Sequence, residues 1–389
     1  MSNNKPAIII DSDIPFIQGV LEPFFCTKYI KSADINSQTI KSASALIIRT
    51  RTKCNQELLE GSSVNSIFTA TIGNDHIDMK YCTENGIAVY NAAGCNANGV
   101  VQYVITSLFI TGRSFKRDVF RDKLGIIGAG NVGERLAATA TRLGIEVMRC
   151  DPPLKVRLQE DPLFFSEEKL IERGVDTSFY PDRSGLSSSD YFSLNQVLNS
   201  CSVISFHVPL NEETTGMCSK EFMSSINQGA VLINSSRGEI FDEDEVIRCR
   251  SKLGALISDV WSGEPEINPK YLEVTNIATP HIAGYSLEGK INATVFTVRN
   301  IAKHFKIESL IDFVINYPDE VDSNTIIDSR HSKVEIITCM TEDRFPIMQQ
   351  DKRLRDNPHN FENLRTEYKY RREFSDSFLK KLEKVANLK

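Results

Sequence analysis

The sequence predicts an α/β protein built on parallel sheets. Short apolar runs of strand length recur with helix-compatible segments between them. Chemically useful polar residues fall just after those runs, where open α/β sheets place their ligands. The stretch Lys123–Asp151, KLGIIGAGNVGERLAATATRLGIEVMRCD, reads as strand, glycine turn, helix and second strand.

Ala7–Ile10, Ala45–Ile48 and Ser66–Ala70 are the first strand candidates. Asp75–Glu84 has helical spacing, stopped at Asn85-Gly86 before a strand at Ile87–Tyr90. Gly99–Gly112 is an apolar helix candidate. Pro152–Asp190, with its prolines and the run SGLSSSD, defies assignment and could form an outer flap or crowd the adenosine side of a nucleotide site. Ser202–His207, Ala230–Ser235, Ala255–Ser258 and Val274–Ala278 are strands, with a helix from Ser219. Another helix, with Asp242 and Glu245 spaced as a capping box, runs through Lys252. Glu288–Phe305 suits a long helix, Lys333–Thr338 a strand, and charged Asn360–Lys384 a largely helical tail.

Gly128, Gly130 and Gly133 form GxGxxG between strand and helix. A tight turn needs the first glycine, close approach of a diphosphate the second, and helix–strand packing the third. The helix amino terminus adds unpaired N–H groups and its positive dipole end. Asp151 closes the second strand, where a carboxylate would bind the adenosine ribose and repel a 2′-phosphate. This predicts a Rossmann-like nucleotide domain that takes NAD rather than NADP.

At 389 residues the chain exceeds one ordinary core, so two or three domains are expected. A formal charge of −6 offers no general attraction to nucleic acid or an anionic membrane. The basic residues of the tail are interleaved with acids, as on a solvated face. Nine cysteines without a CxxC pair fit reduced thiols, and no run has signal-peptide or membrane-spanning character, so a cytoplasmic location is expected.

Arg237 in NSSRG, Glu264 in DVWSGEP and His281 in TPHIAGY follow three of the downstream strand candidates. Taken singly, each is an ordinary loop or turn residue. Behind a dinucleotide turn they suit oxidation of a 2-hydroxy acid. His281 is the candidate base, Glu264 can fix its tautomer and favour imidazolium, and Arg237 can hold a carboxylate bidentately. No cluster demands a metal.

On NSSRG, DVWSGEP and TPHIAGY, with LIIRTRTKCN, TATIGNDHID, AAGCNANGVVQYV, CDPP and FENLRTEYKYRREFS, the chain resembles the D-isomer-specific 2-hydroxyacid dehydrogenases. The resemblance gives Arg237, Glu264 and His281 the roles just argued. It further implies cofactor contacts at Asn131, Val132, Val208, Ser236, Asp259 and Gly284. Substrate contacts would come from Arg49, Thr50, Thr71, Gly73 and Tyr285, with backbone N–H groups near Ile72 and Gly73 holding a carboxylate. Val208 replaces a threonine common beside the cofactor, and Thr50 stands where relatives carry serine. Arg49, Arg51 and Lys53 compete for a substrate phosphate, with Arg49 favoured.

The implied architecture has a flavodoxin-like substrate domain at 1–95, a nucleotide domain at 96–285 and a returning segment at 286–317. An additional α+β dimerisation domain would occupy 318–389. The branch of the family nearest this chain implies 4-phosphoerythronate as substrate and a homodimer, with a 2-oxo acid to reoxidise NADH retained in place. Arg371 and Arg372 are candidates for reaching a neighbouring subunit's site. Alternatives are a dehydrogenase of 3-phosphoglycerate or another 2-hydroxy acid, and an inactive NAD-sensing scaffold.

Overall fold

A computed structural model describes residues 5–173, 175, 177, 180–318 and 331–388. They fall into two compact units, one within Met1–Asn96 and Leu287–Asp319, the other within Ala97–Ser286 and Glu320–Lys389.

In the first unit β1 (Ala7–Asp11), β2 (Cys26–Ile30), β3 (Ala45–Ile48), β4 (Ser66–Thr69) and β5 (Ala88–Asn91) form one parallel sheet. Their order, β2-β1-β3-β4-β5, is the flavodoxin-like arrangement. Alternate residues feed two cores. Ile8, Ile10, Ile47 and Phe68 pack on one face with Val298 and Ile301 of the returning helix Leu287–Phe305, while Ile9, Leu46, Ile48 and Ile67 meet Leu58, Leu59 and Cys82 on the other. The edge strand β2, CTKYI, is half exposed and was not foreseen.

The second unit holds a six-stranded sheet, also parallel: β6 (Lys123–Ile127), β7 (Glu146–Cys150), β8 (Val203–Phe206), β9 (Ala230–Asn234), β10 (Leu253–Ser258) and β11 (Ile277–Ala278). The order β11-β10-β9-β8-β6-β7 reverses direction between β6 and β8, which leaves a crevice beyond their carboxyl ends. Beside β7 stands the remnant of a further strand. Tyr191 bridges to Arg149 in parallel, and Phe192 N–H donates to Arg149 O at 2.8 Å.

The unassigned stretch resolves into the helices Pro152–Glu160 and Glu167–Glu172. Leu158, Phe165 and Tyr191 pack there around Ala129 of the glycine turn. These residues wall the crevice beside the glycine turn.

Among the described C-terminal residues the named elements are helices, and one isolated parallel bridge joins Arg371 to Ser286. Lys333–Arg344 is a helix, not a strand. Its run of Val334, Ile336, Ile337 and Thr338 has β propensity, but Ser332 and Glu335 close a capping box ahead of it. The helix also buries Ile336, Ile337 and Met340 with Val104, Leu108 and Phe109 of the helix Ala97–Ser114. The expected boundary at 318 is followed by residues 319–330, which lie outside the described ones. Among the described residues no helix is long and apolar enough to cross a membrane, and none of the nine cysteines is in a disulfide.

Arg371 ties the C-terminal region to the rest of its unit. It is 8% exposed and donates to the carbonyls of Gly99, Ile282, Ala283 and Tyr285, and to Gln102 Oε1. These bonds occupy its donors within its own chain, which removes it as a candidate for reaching a neighbouring subunit. Arg371→Met should strand several buried carbonyls, each worth about 1–3 kcal/mol. A loss of about 3 kcal/mol or more lowers the thermal midpoint by roughly 6–12 °C, measurable by calorimetry.

Candidate active site

The glycine turn is built as its spacing demands. Gly128 has φ +90°, and a Cβ there would lie 2.5 Å from His207 O and 2.9 Å from the Val208 side chain. A Cβ at Gly133 would stand 2.0 Å from Gly128 O. A Cβ at Gly130 would meet nothing within 4 Å, so the space above the helix Asn131–Arg142 is open. No side chain caps that helix. Its first-turn N–H groups therefore face the crevice without a capping acceptor, a cradle that fits a diphosphate. Glu134 in the same turn would oppose an anion, but Arg149 of β7 pairs with it at 2.7 Å.

Asp151 turns its carboxylate onto the backbone. Oδ2 accepts from Ala129 N–H at 2.9 Å and Oδ1 from Leu154 N–H at 3.0 Å, capping the next helix. Each oxygen keeps lone-pair capacity for a ribose hydroxyl. Arg183 of the wall, 6% exposed, donates to Ala129 O at 2.6 Å and lies over the Phe165 and Tyr180 rings, so both backbone groups of Ala129 are held. Asn131 and Val132 open the helix, and half-buried Val208 borders Gly128.

The three catalytic candidates lie on loops after β9, β10 and β11. Ser236 and Arg237 follow β9. Asn234 Oδ1 accepts from Ser236 N–H and Oγ, and Arg237 Nη1 donates to Ser236 O at 2.8 Å. A Cβ at Gly238 would stand 2.0 Å from the Trp261 carbonyl carbon, so glycine lets the Arg237 loop press against the chain leading to Glu264. Glu264 Oε1 accepts from Trp261 N–H at 3.0 Å, and its Oε2 lies 2.8 Å from His281 Nδ1. Burial pushes the Glu264 carboxyl up, but the His281 ring, their hydrogen bond and the nearby Arg365 hold it below the ordinary range. Glu264 is therefore ionised near neutral pH. His207, also at a strand end, is half-buried, and desolvation pushes it down to about 3, so it stays neutral and is no rival base.

His281 adopts φ +56°, a left-handed conformation unusual for a side chain larger than glycine. Its N–H donates to Asp259 O at 2.7 Å. The 1%-exposed Asp259 carboxylate accepts from Thr279 Oγ1 and from the N–H groups of Ile282 and Ala283. Gly284 and Tyr285 follow on the stretch whose carbonyls Arg371 holds.

Sequence reasoning missed Arg365 of the helix Phe361–Thr366. It donates to Tyr285 Oη at 3.3 Å and to Glu362 at 3.0 Å, and it acts electrostatically on Glu264. The LRTEY stretch reads as one more charged helix turn, so only tertiary packing identifies it.

The proposed substrate residues of the first unit sit beyond β3 and β4. Arg49 donates to Asp13 O at 3.3 Å, and Thr50 is exposed. Thr71 Oγ1 lies 2.6 Å from Thr69 Oγ1, and Asn91 donates to Ile72 O at 3.0 Å. Gly73 is half-buried in the same turn. Among the described residues no His, Cys, Asp or Glu cluster is suited to a metal.

Residues 174–283 match the model of the D-isomer specific 2-hydroxyacid dehydrogenase NAD binding domain. The chain is similar along almost its whole length to erythronate-4-phosphate dehydrogenases. That of Bacteroides fragilis is 36% identical, covering 94% of this chain and 97% of its own. The Yersinia enterocolitica protein is 30% identical over 95% and 93%. Among solved structures, NAD+-bound 3-phosphoglycerate dehydrogenase from Entamoeba histolytica superposes with a TM-score of 0.60 at 26% identity, covering 80% of this chain and 99% of its own. D-lactate dehydrogenase from Aquifex aeolicus, complexed with NAD and lactic acid, gives 0.58 at 25%, covering 78% and 97%.

The glycine geometry separates two effects. Gly130→Ala should keep the thermal midpoint within about 4 °C, since only a helix-cap preference changes. It should weaken NADH binding at least about tenfold by filling the diphosphate space. Gly133→Ala should lose both binding and stability, read by nucleotide fluorescence and thermal unfolding.

Proposed function

The chain belongs to the D-isomer-specific 2-hydroxyacid dehydrogenase family, and from that premise we propose that it oxidises 4-phospho-D-erythronate with NAD. The product is (R)-3-hydroxy-2-oxo-4-phosphooxybutanoate, in a step of pyridoxal 5′-phosphate biosynthesis. The observation that carries this reading is the end-to-end likeness to erythronate-4-phosphate dehydrogenases, across 94% of the chain at 36% identity. The solved 3-phosphoglycerate dehydrogenase covers only 80% of it, which disfavours that substrate. The paired Glu264 and His281 disfavour an inactive scaffold.

The catalytic roles follow from the side chains. Ionised Glu264 only accepts hydrogen bonds, so His281 carries its proton on Nδ1 and presents a lone pair at Nε2. That lone pair takes the C2 hydroxyl proton, and Glu264 steadies the resulting imidazolium. Arg237 holds the C1 carboxylate and stabilises the developing 2-oxo group. When bound, NAD accepts the hydride from C2. Gly128, Gly130, Asn131, Val132 and Gly133 would hold its diphosphate end, Asp151 the adenosine ribose, and Val208, Ser236, Asp259 and Gly284 the remainder. Substrate is assigned to Arg49, Thr50, Thr71, Gly73 and Tyr285, with Arg49 at the phosphate.

In this reading 1–95 with 286–317 is the substrate domain, 96–285 the nucleotide domain and 318–389 the dimerisation domain. A 2-oxo acid reoxidises NADH held in place, a co-reactant that free exchange of bound NADH would make unnecessary.

Single-turnover NADH formation should be fast with 4-phosphoerythronate and slow with 3-phosphoglycerate or erythronate. His281→Ala should abolish it, and Glu264→Gln should lower kcat/KM by about 10²–10⁴-fold. A preference for 3-phosphoglycerate would sink the substrate assignment. Analytical ultracentrifugation should find twice the protomer mass; a monomer at working concentration would count against the dimer.

A further inference from the structure

Three side chains of the first unit form a hydrogen-bonded row that the reaction above does not use in full. Thr69, the last residue of β4, is 1% exposed. Its Oγ1 lies 2.6 Å from Thr71 Oγ1 on one side and 3.2 Å from His76 Nε2 on the other. His76 Nδ1 is buried and meets no hydrogen-bond partner among the described residues. Burial lowers the His76 pKa, with Asp75 opposing, so the ring is neutral near pH 7.

Proton counting gives the row a direction. A neutral imidazole carries one N–H, and a hydroxyl donates once. Placing the ring proton on Nδ1 would seal a donor away from any acceptor, which folded proteins avoid more strictly than an unshared lone pair. The proton therefore sits on Nε2 and is donated to Thr69 Oγ1. Thr69 then donates across the short contact to Thr71, whose own hydroxyl proton is left free. Beside it, the N–H groups of Ile72 and Gly73 make no hydrogen bond among the described residues. Donors converge there.

We propose that His76 and Thr69 are positioning residues that turn Thr71 into a fixed hydroxyl donor for an anionic oxygen of the substrate. The anionic oxygen belongs to a carboxylate or to a phosphate. This assignment rests on the reading of the chain as a dehydrogenase of phosphorylated 2-hydroxy acids.

The test uses the full-length protein and the variants Thr69→Val, His76→Leu, their combination, and His76→Gln, which restores a donor near the Nε2 position. Nitrogen-15 NMR of the imidazole, with His76→Gln to assign the resonance, should find the proton on Nε2. A proton on Nδ1, or a charged ring at neutral pH, overturns the proposal. Thr69→Val and His76→Leu should each raise KM about five- to twentyfold with kcat within about twofold. NADH affinity should be unchanged, and the thermal midpoint should fall by no more than about 8 °C, the cost of one stranded buried group. The double variant should be no worse than the worse single one, because both cut the same row. His76→Gln should recover most of the loss.

A KM effect with 4-phosphoerythronate alone assigns Thr71 to the phosphate, and an equal effect with erythronate assigns it to the carboxylate. An active wild type with unmoved variants overturns the row alone. So does a uniform fall in kcat, NADH affinity and midpoint, which marks a structural role. A wild type that oxidises neither acid overturns the proposed reaction and the row with it.

Discussion

The arrangement of the second unit depends on how one loop is held. His281 sits in a left-handed conformation that its side chain disfavours, so the loop must be fixed from outside. Asp259 takes the amides of Ile282 and Ala283, while Arg371 takes the carbonyls of Ile282, Ala283 and Tyr285. A carboxyl group accepting on the N–H side and a guanidinium donating on the C=O side leave few alternative conformations. Both are buried, so water competes little for these bonds. Glu264 can then meet the ring at 2.8 Å because the backbone delivering the ring is already fixed. The close approach at Gly238 fixes the Arg237 loop in a similar way.

Much of this was legible in the sequence, for a definite reason. Parallel strands buried on both faces write themselves as apolar runs, and α/β sheets put functional groups at the carboxyl ends of those runs. Arg237, Glu264 and His281 were therefore marked by position as well as by type. The glycines were legible because Gly128 and Gly133 answer steric demands of the turn, while Gly130 leaves the space that a diphosphate needs. Strand β2 was not, because CTKYI is an edge strand with alternate residues exposed. The Lys333–Arg344 helix was misread because local β propensity was outweighed by a capping box and burial against Ala97–Ser114. Arg365, Arg371 and His76 act through contacts distant in sequence or through an orphaned ring nitrogen. Residue type and spacing carry no trace of either.

The helices Pro152–Glu160 and Glu167–Glu172, with Arg183 and Tyr191, show how an irregular stretch can buttress a candidate ligand site. Its helices are short and carry little of their own core, yet Leu158, Phe165 and Tyr191 seat against Ala129. Arg183 then fastens Ala129 O, opposite the bond that Asp151 makes to Ala129 N–H. The glycine turn thus gains rigidity from a segment outside the strand–turn–helix that defines it, and a rigid cradle gives up less conformational entropy on binding.

The position of Arg371 has a consequence for how the protein comes into being. The residue lies late in the chain, whereas the loop it fastens is made long before it during synthesis. A nascent chain can form both sheets while its His281 loop still lacks half of its restraint. Competence for chemistry should arrive late, once the segment bearing Arg371 has left the ribosome and docked. Truncation ahead of that segment, or a bulky insertion within it, would silence such a protein while sparing every residue that touches substrate.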